Sequence, residues 1–180
     1  QRNIFYWFWD PVENVSLLPW LSLTALLHCT IVLEKRNEFK LWTGTLAIST
    51  FILSLSGTFL VRSGILNSVH TFANDPERGL FILIFMFLLI TFSVIIFFRN
   101  MPSQNNQTIS VKLFSKEIFI LINNLFMMYF LSVVILGTVY PIFLEVITSQ
   151  KISIGPPFFN KLLIPFTIPF LIFMAFGPRL

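Results

Sequence analysis

The amino-acid sequence predicts an all-α, polytopic integral membrane protein with about five transmembrane helices. Apolar residues make up 56% of the 180-residue chain and charged residues only 11%, and the mean hydropathy is +0.82. Because soluble domains carry about a quarter charged residues, this chain has too few to cover a surface in water. Lipid must therefore be the solvent for most of it, and we expect a single membrane domain over residues 1–180.

Five apolar stretches are long enough, or nearly so, for the ~20 residues that a transmembrane helix needs. The predicted spans are Val15–Leu33, Leu41–Val61, Leu80–Phe98, Ile118–Tyr140 and Leu162–Phe176. The fifth span is short and contains Pro165 and Pro169. A kinked or partly re-entrant course is therefore an alternative to a full crossing.

Alternate loops of a five-span protein lie on opposite sides of the membrane. One side receives the opening segment 1–14 and the outer loops 62–79 and 141–161. The other receives residues 34–40, the inner polar loop 99–117 and the C-terminus. Seven of the twelve Lys and Arg residues fall on this second side. The positive-inside rule therefore assigns it to the cytoplasm or matrix, and the opening segment then faces the periplasm or intermembrane space.

The opening segment joins a run of aromatics, FYWFW, to a helix-start signal. Asp10 suits the N-cap position, Pro11 the first helical position, and Glu13 the third. Asp75-Pro76-Glu77 is a second such start. In the plainest interpretation the aromatics are an interfacial belt that precedes a capped helix.

The chain has two histidines in different environments. His28 lies inside the first span and His70 in the outer loop 62–79. An ionisable group at membrane depth indicates a function, and imidazole is a common haem ligand. The alternative is that His28 bonds to a neighbouring helix or to the Thr24 hydroxyl. Because His28 lies roughly 20 Å from the outer end of its span, one haem cannot use both histidines.

Several functional classes are excluded. Cys29 is the single cysteine, so the chain carries no internal disulfide, no CxxC redox pair and no CxxCH haem-attachment motif. Closely spaced ligands for structural zinc, hydrolase constellations and a Gly-rich phosphate loop are missing from the sequence. The basic residues form no face that would bind nucleic acid. A transporter is disfavoured because no span carries paired charges and no inverted repeat is visible.

Eight sequence segments, in order, resemble the CcmF family, the tryptophan-rich "WWD" membrane component of cytochrome c maturation. They are YWFWDPVEN, SLLPWL, LLH, EKR, GTFLVRSGILNSVHTFANDPERGLFIL, NNLF, LGTVYPIF and KISIGPPFFNKLLIP. Together they cover nearly the whole chain. Ile4 and Phe5 stand where the family pattern has glycines.

The resemblance implies two haem sites. Residues 1–14 become the WWD segment, in which Trp7, Trp9 and Asp10 form an outward-facing haem platform. His70 matches the histidine that supplies one axial ligand to this outer haem. His28 matches the transmembrane histidine that ligates a second, b-type haem within the membrane.

Two arginines at span ends are candidates for contacts with haem propionates. They are Arg62 and Arg78. Arginines at such positions also commonly snorkel to lipid headgroups, and this remains the alternative.

The implied function is that of a haem lyase module. It would receive haem from a CcmE-like chaperone and hold it for covalent attachment to apocytochrome c, with the transmembrane haem as reductant. A CcmH-like thiol component and further CcmF pieces, which carry the missing histidines, are the other expected partners. We expect activity only with these chains. The alternative is a degenerate CcmF-like piece that acts as a structural subunit.

The composition also bears on location. Phe occurs 23 times while Ala is rare, a bias that suggests an AT-rich genome such as a mitochondrial one. The chain would then be the central piece of a CcmF split among several polypeptides. We expect it in the mitochondrial inner membrane with the WWD segment facing the intermembrane space, or in a bacterial inner membrane if it is not organellar.

Overall fold

The fold is all-α in the computed structural model, which describes residues 7–63, 76–100, 116–148, 152 and 154–176. The helices are α1 Pro11–Arg36, α2 Lys40–Arg62, α3 Pro76–Arg99, α4 Lys116–Thr148 and α5 Pro156–Phe176. All five are long and apolar enough to cross a membrane. The predicted five-helix membrane architecture is thus confirmed.

The helices pack in the order α3, α2, α1, α4, α5, with α1 at the centre. α1 packs against both α2 and α4, whereas α3 contacts α2 and α5 contacts α4. The central position of α1 explains its buried stripe, which repeats at helical spacing and includes Leu18, Ala25, Cys29 and Val32. The opposite stripe of α1 is exposed at Trp20, Leu23 and Leu27 and lies where lipid or another chain can cover it.

Close approach and a polar contact hold α1 against α2. A Cβ atom at Gly57 would lie 3.0 Å from Val15 Cγ1, so the glycine allows the two helices to approach closely. About two turns further along both helices, the Ser22 and Thr50 hydroxyls lie 2.7 Å apart and share a hydrogen bond. Such interhelical hydrogen bonds contribute about 0.6 kcal/mol each in a membrane protein.

Aromatic packing joins α4 to α5. Phe159 is fully buried over Gly137, where a Cβ atom would lie only 2.5 Å from the Phe159 ring. Further along, Phe130 and Phe170 pack edge to face with ring centroids 5.6 Å apart. The Tyr129 hydroxyl donates to the Leu162 carbonyl oxygen at 3.0 Å, which satisfies a phenol that would otherwise lie unpaired in an apolar layer.

The predicted boundaries of the fourth and fifth spans are wrong. α4 continues past Tyr140 and through Pro141 to Thr148, and α5 already begins at Pro156. Most of the predicted outer loop 141–161 is therefore helical. Pro141 does not end α4. In a transmembrane helix, neighbouring helices and side chains can satisfy the backbone carbonyl that a proline leaves without its hydrogen bond.

The prolines of α5 do not interrupt the helix. The helix runs unbroken through Pro165 and Pro169 over 21 residues, roughly 32 Å at 1.5 Å per residue. This length suffices to cross the hydrocarbon core.

The remaining loop predictions are only partly described. α2 ends at Arg62 and α3 begins at Pro76, close to the bounds predicted for the loop 62–79. α3 ends at Arg99 and α4 begins at Lys116, close to the bounds predicted for the loop 99–117. The outer and inner sides of these loops stay predictions. The second predicted helix cap, Asp75, lies outside the described residues.

Candidate functional site

The WWD segment leads directly into α1 through a complete capping box. Asp10 is the N-cap: its side chain accepts from the backbone N–H groups of Val12, at 3.2 Å, and of Glu13. The Glu13 carboxylate accepts in return from the Asp10 backbone N–H at 3.3 Å, and also from that of Phe8 at 3.0 Å. The predicted cap is therefore present, and it fixes the course of the chain just before the membrane-spanning helix.

Trp9 is bound to α5 rather than displayed to solvent. Its indole stacks on the Phe159 ring with centroids 4.6 Å apart and planes 9° from parallel. Its Nε1–H donates to Asn160 Oδ1 at 3.1 Å. These contacts link the segment before α1 to α5, across the edge of α4.

The backbone of Trp9 is in the left-handed region, with φ 56°. This conformation is unfavourable for a bulky residue by about 1–2 kcal/mol, so other contacts must hold it. The Asn14 side-chain amide donates to the Trp9 carbonyl oxygen at 3.2 Å, and Asn14 is 1% exposed. The turn thus depends on one polar side chain buried in the first turns of α1.

Trp7 and Phe8 are the exposed aromatics among the described residues of the WWD segment. Their side chains are 40% and 48% exposed. Trp7 packs edge to face on Trp9, with ring centroids 6.2 Å apart and planes at 80°. The firmly held Trp9 therefore supports a more exposed neighbour, an arrangement that suits binding of a flat apolar ligand against Trp7 and Phe8.

Arg62 lies at the same end of the molecule as the WWD segment. It lines an open groove of about 430 Å³ between the N-terminal half of α1 and the C-terminal half of α2, together with Val12, Val15 and Gly57. The arginine side chain is exposed, whereas the groove is mostly apolar. A cation beside an apolar groove matches an amphiphilic ligand that carries carboxylates.

His28 lies in the C-terminal half of α1 and faces α4. Its Nδ1 is 3.2 Å from Asn124 Oδ1, so the predicted alternative of a bond to a neighbouring helix is observed. The bond to Thr24 is not observed; the Thr24 hydroxyl instead donates to the Trp20 carbonyl oxygen of its own helix. Nε2 makes no hydrogen bond within the described part of the chain, and the ring is half-buried.

The Asn124 amide is held from its other end by Cys29. Asn124 Nδ2 donates to Cys29 Sγ at 3.0 Å, and both residues are buried, at 6% and 2% exposure. His28, Asn124 and Cys29 therefore form one polar cluster in an apolar layer.

The His28 cluster and the WWD segment lie far apart. Asp10 and His28 are eighteen residues apart on one helix, which corresponds to about 27 Å along its axis. The expectation that one haem cannot use both histidines stays a prediction, because His70 lies outside the described residues.

The donor chemistry at His28 fits a haem iron. Neutral imidazole with its proton on Nδ1 presents the Nε2 lone pair, the form in which histidine binds metals. No group of three or more His, Cys, Asp and Glu side chains converges within the described ranges, so a multidentate metal centre is not supported there. A cofactor that needs one protein ligand from this chain suits the arrangement better.

Two of the predicted site residues cannot be placed. His70 lies outside the described residues, and Arg78 lies on α3 with a side chain that the structure does not describe. Their roles remain predictions.

Three asparagines of these sites were missed by the sequence interpretation. Asn14 and Asn160 fix Trp9, and Asn124 holds His28. A signal was available for Asn124: a polar residue inside an apolar span is costly unless it has a partner, so it marks a contact worth seeking. For the other two, neither local sequence nor periodicity reveals the partner.

Three comparisons with known proteins relate the chain to cytochrome c assembly. Residues 5–67 match the family model described as "Cytochrome C assembly protein". The chain is 48% identical over 172 residues to the cytochrome c-type biogenesis protein CcmF of Pseudomonas aeruginosa, which covers 96% of this chain and 26% of the relative. It is 47% identical over 173 residues to CcmF of Escherichia coli K12, covering 96% of this chain and 27% of the relative.

A comparison with solved structures also identifies a CcmF protein as similar to this chain. The chain matches a cytochrome c haem lyase CcmF with a TM-score of 0.69 and 31% sequence identity, over 97% of this chain and 24% of that one. The chain thus spans about a quarter of the length of the relatives it matches. Because the similarity extends over nearly all of its residues, from the WWD segment to α5, the chain belongs to the CcmF family of cytochrome c-type biogenesis proteins.

Proposed function

We propose that the chain is the haem-handling segment of a cytochrome c haem lyase and ligates a b-type haem through His28 Nε2. The observation that carries this proposal is the half-buried imidazole inside α1, whose Nδ1 is bound by Asn124 and whose Nε2 has no described partner. The name of the structural relative, a cytochrome c haem lyase, supports the same conclusion. When bound, haem supplies a one-electron redox centre; the chain supplies an axial ligand and an apolar surrounding.

The WWD segment is proposed as one wall of the outer haem site. Trp7 and Phe8 offer exposed aromatic faces, and Trp9 is held rigidly against Phe159 and supports them. Asp10 acts here through the capping box, which sets the angle between the segment and α1. In this proposal Arg62 pairs with propionates, because it lines the groove beside Val12 at the same end of α1.

His70 is proposed as an axial ligand of the outer haem, and Arg78 as a second propionate contact. Both assignments depend on the family resemblance, since their side chains are not described. The haem at this outer site is substrate: the segment orients it while the cysteines of apocytochrome c are joined to it.

The other components follow from the same proposal. A CcmE-like chaperone would deliver haem, a CcmH-like thiol component would present the apocytochrome, and other CcmF segments would supply the second axial ligands. The membrane would be the mitochondrial or bacterial inner membrane, with the WWD segment on the outer side.

The proposal is tested by grafting. The chain replaces the matching stretch of Pseudomonas aeruginosa CcmF, to which it is 48% identical over 172 residues. The purified graft should show the absorbance of a b-type haem in its reduced-minus-oxidised spectrum. His28→Ala should remove this absorbance, because no other described residue of the chain offers an imidazole to it.

His70→Ala provides the matched control. It should leave the b-type absorbance in place and abolish covalent attachment of haem to cytochrome c, because it acts at the outer site. Unchanged absorbance in His28→Ala would refute the assignment of His28, and normal maturation in His70→Ala would refute the outer ligand.

A further inference from the structure

We propose that Asn124 is a positioning residue that fixes the tautomer and ring orientation of His28, so that Nε2 is presented to the haem iron. This inference rests on the proposed function. It adds a residue of α4 to a site for which the sequence interpretation offered α1 alone. Three polar side chains between α1 and α4, those of His28, Cys29 and Asn124, are joined by two hydrogen bonds.

The tautomer of His28 follows from the chemistry of its partner. An amide oxygen can only accept a hydrogen bond, so the imidazole nitrogen 3.2 Å from Asn124 Oδ1 must carry the proton. In neutral imidazole the other nitrogen then holds the lone pair. Asn124 therefore selects the form in which Nε2 can bind a metal.

Cys29 binds the other end of the amide. Asn124 Nδ2 donates to Cys29 Sγ at 3.0 Å, and with the amide in this orientation its Oδ1 faces His28 Nδ1. Cys29 lies one residue after His28 on α1 and is 2% exposed. The thiol and the imidazole of adjacent residues thus bind the two ends of one amide.

The neighbouring asparagine shows that burial alone does not produce this arrangement. Asn123 is also buried, at 8% exposure, yet its Oδ1 has no hydrogen-bond partner. Asn124 is the member of the pair whose oxygen and nitrogen are both bonded. A polar side chain that is fully paired across two membrane helices is expected where an orientation must be fixed.

An acceptor on Nδ1–H makes the imidazole a stronger electron donor through Nε2. It thereby favours the oxidised iron and lowers the midpoint potential of a bound haem. Removal of an outer hydrogen-bond partner of this kind typically weakens metal affinity by about 10–100-fold. A residue that served only for packing would not change the potential in this direction.

The test uses the graft described above and measures two quantities: the haem affinity and the midpoint potential of the b-type haem. Asn124→Leu keeps the approximate volume and removes both polar contacts. We expect the haem affinity to fall by about 10–100-fold and the midpoint potential to rise. Asn123→Leu, which alters the adjacent buried amide without touching His28, is the matched control and should leave both quantities at their parental values.

Asn124→Asp keeps an acceptor opposite Nδ1 and covers the case in which Asn124→Leu fails to fold. Because a carboxylate is the stronger acceptor, we expect the potential to fall below the parental value. Potentials that are unchanged in both Asn124 variants, or that move equally in Asn124→Leu and Asn123→Leu, would overturn the inference.

His28→Ala separates this failure from that of the proposed function. If His28→Ala removes the b-type absorbance while the Asn124 variants behave like the parent, only the positioning role is wrong. If His28→Ala retains the absorbance, the haem assignment itself is wrong and Asn124 has no such role.

Discussion

At the scale of single residues, Trp9 is held by contacts with α5, and its predicted place on a haem-binding surface stays a prediction. Its ring face is covered by Phe159 and its N–H is used by Asn160, while Trp7 and Phe8 remain exposed. The face of Trp9 that stacks on Phe159 is not available to a ligand, but Trp9 still supports the neighbouring Trp7 ring. The tryptophans of the segment therefore divide into one that is held and one that is available.

The hydrogen bond between Trp9 and Asn160 can be measured by a double-mutant cycle. Trp9→Phe preserves the stacking surface but lacks the N–H, and Asn160→Leu removes the acceptor. We expect a coupling free energy of about 1 kcal/mol between the two substitutions, measured from unfolding of the grafted protein in detergent. Trp7→Phe, at an exposed ring, should show no coupling with Asn160→Leu; equal coupling for both tryptophans would contradict the assignment.

At the scale of helices, α1 begins where Asp10 caps it. Substitution of Asp10 by Asn removes the charge but keeps a side-chain oxygen that can accept the capping hydrogen bond. Asn is as good an N-cap as Asp, whereas Ala at this position costs about 0.5–2 kcal/mol. The free energy of unfolding should therefore fall by about 1 kcal/mol in Asp10→Ala and remain near the parental value in Asp10→Asn. A large loss of stability in Asp10→Asn would show that the carboxylate does more than cap the helix.

The contact between α4 and α5 offers a second test. In Gly137→Ala the new Cβ atom would lie 2.5 Å from the Phe159 ring, so Phe159 must move and the stacking with Trp9 must loosen. We expect a destabilisation of about 1–3 kcal/mol, as is usual for overpacking, visible in thermal unfolding in detergent. Gly155→Ala is the control, because its nearest neighbour would be Pro157 Cδ at an ordinary 3.7 Å. Equal effects of the two substitutions would refute the close packing at Gly137.

The elements were largely predictable because burial in lipid leaves a strong and simple pattern. Apolar length located all five helices, and cap chemistry located the start of α1 at Asp10-Pro11. The end of α4 was missed, because the rule that proline ends a helix weakens where lipid surrounds the backbone. The candidate ligand His28 was visible in the sequence, whereas its link to Asn124 joins residues 96 positions apart and depends on helix packing.

At the scale of the whole molecule, the order of the helices explains how the two sites are joined and kept apart. α1 lies at the centre, begins at the WWD segment and carries His28 about 27 Å further along. The outermost helix α3 contacts only α2 among the described helices, and the aromatics Phe81, Phe87, Phe92 and Phe98 on it are exposed. Lipid or further segments of a CcmF-type protein would cover such a surface.

The most direct test of the central claim is whether the chain supports attachment of haem to cytochrome c. The measurement is the amount of covalently bound haem in cytochrome c from a Pseudomonas aeruginosa strain whose CcmF carries the graft and no other copy. We predict covalent haem in the parental graft and none in its His70→Ala variant. Apocytochrome without covalent haem, despite a normal amount of the graft in the membrane, would contradict the haem lyase function and favour the structural-subunit alternative.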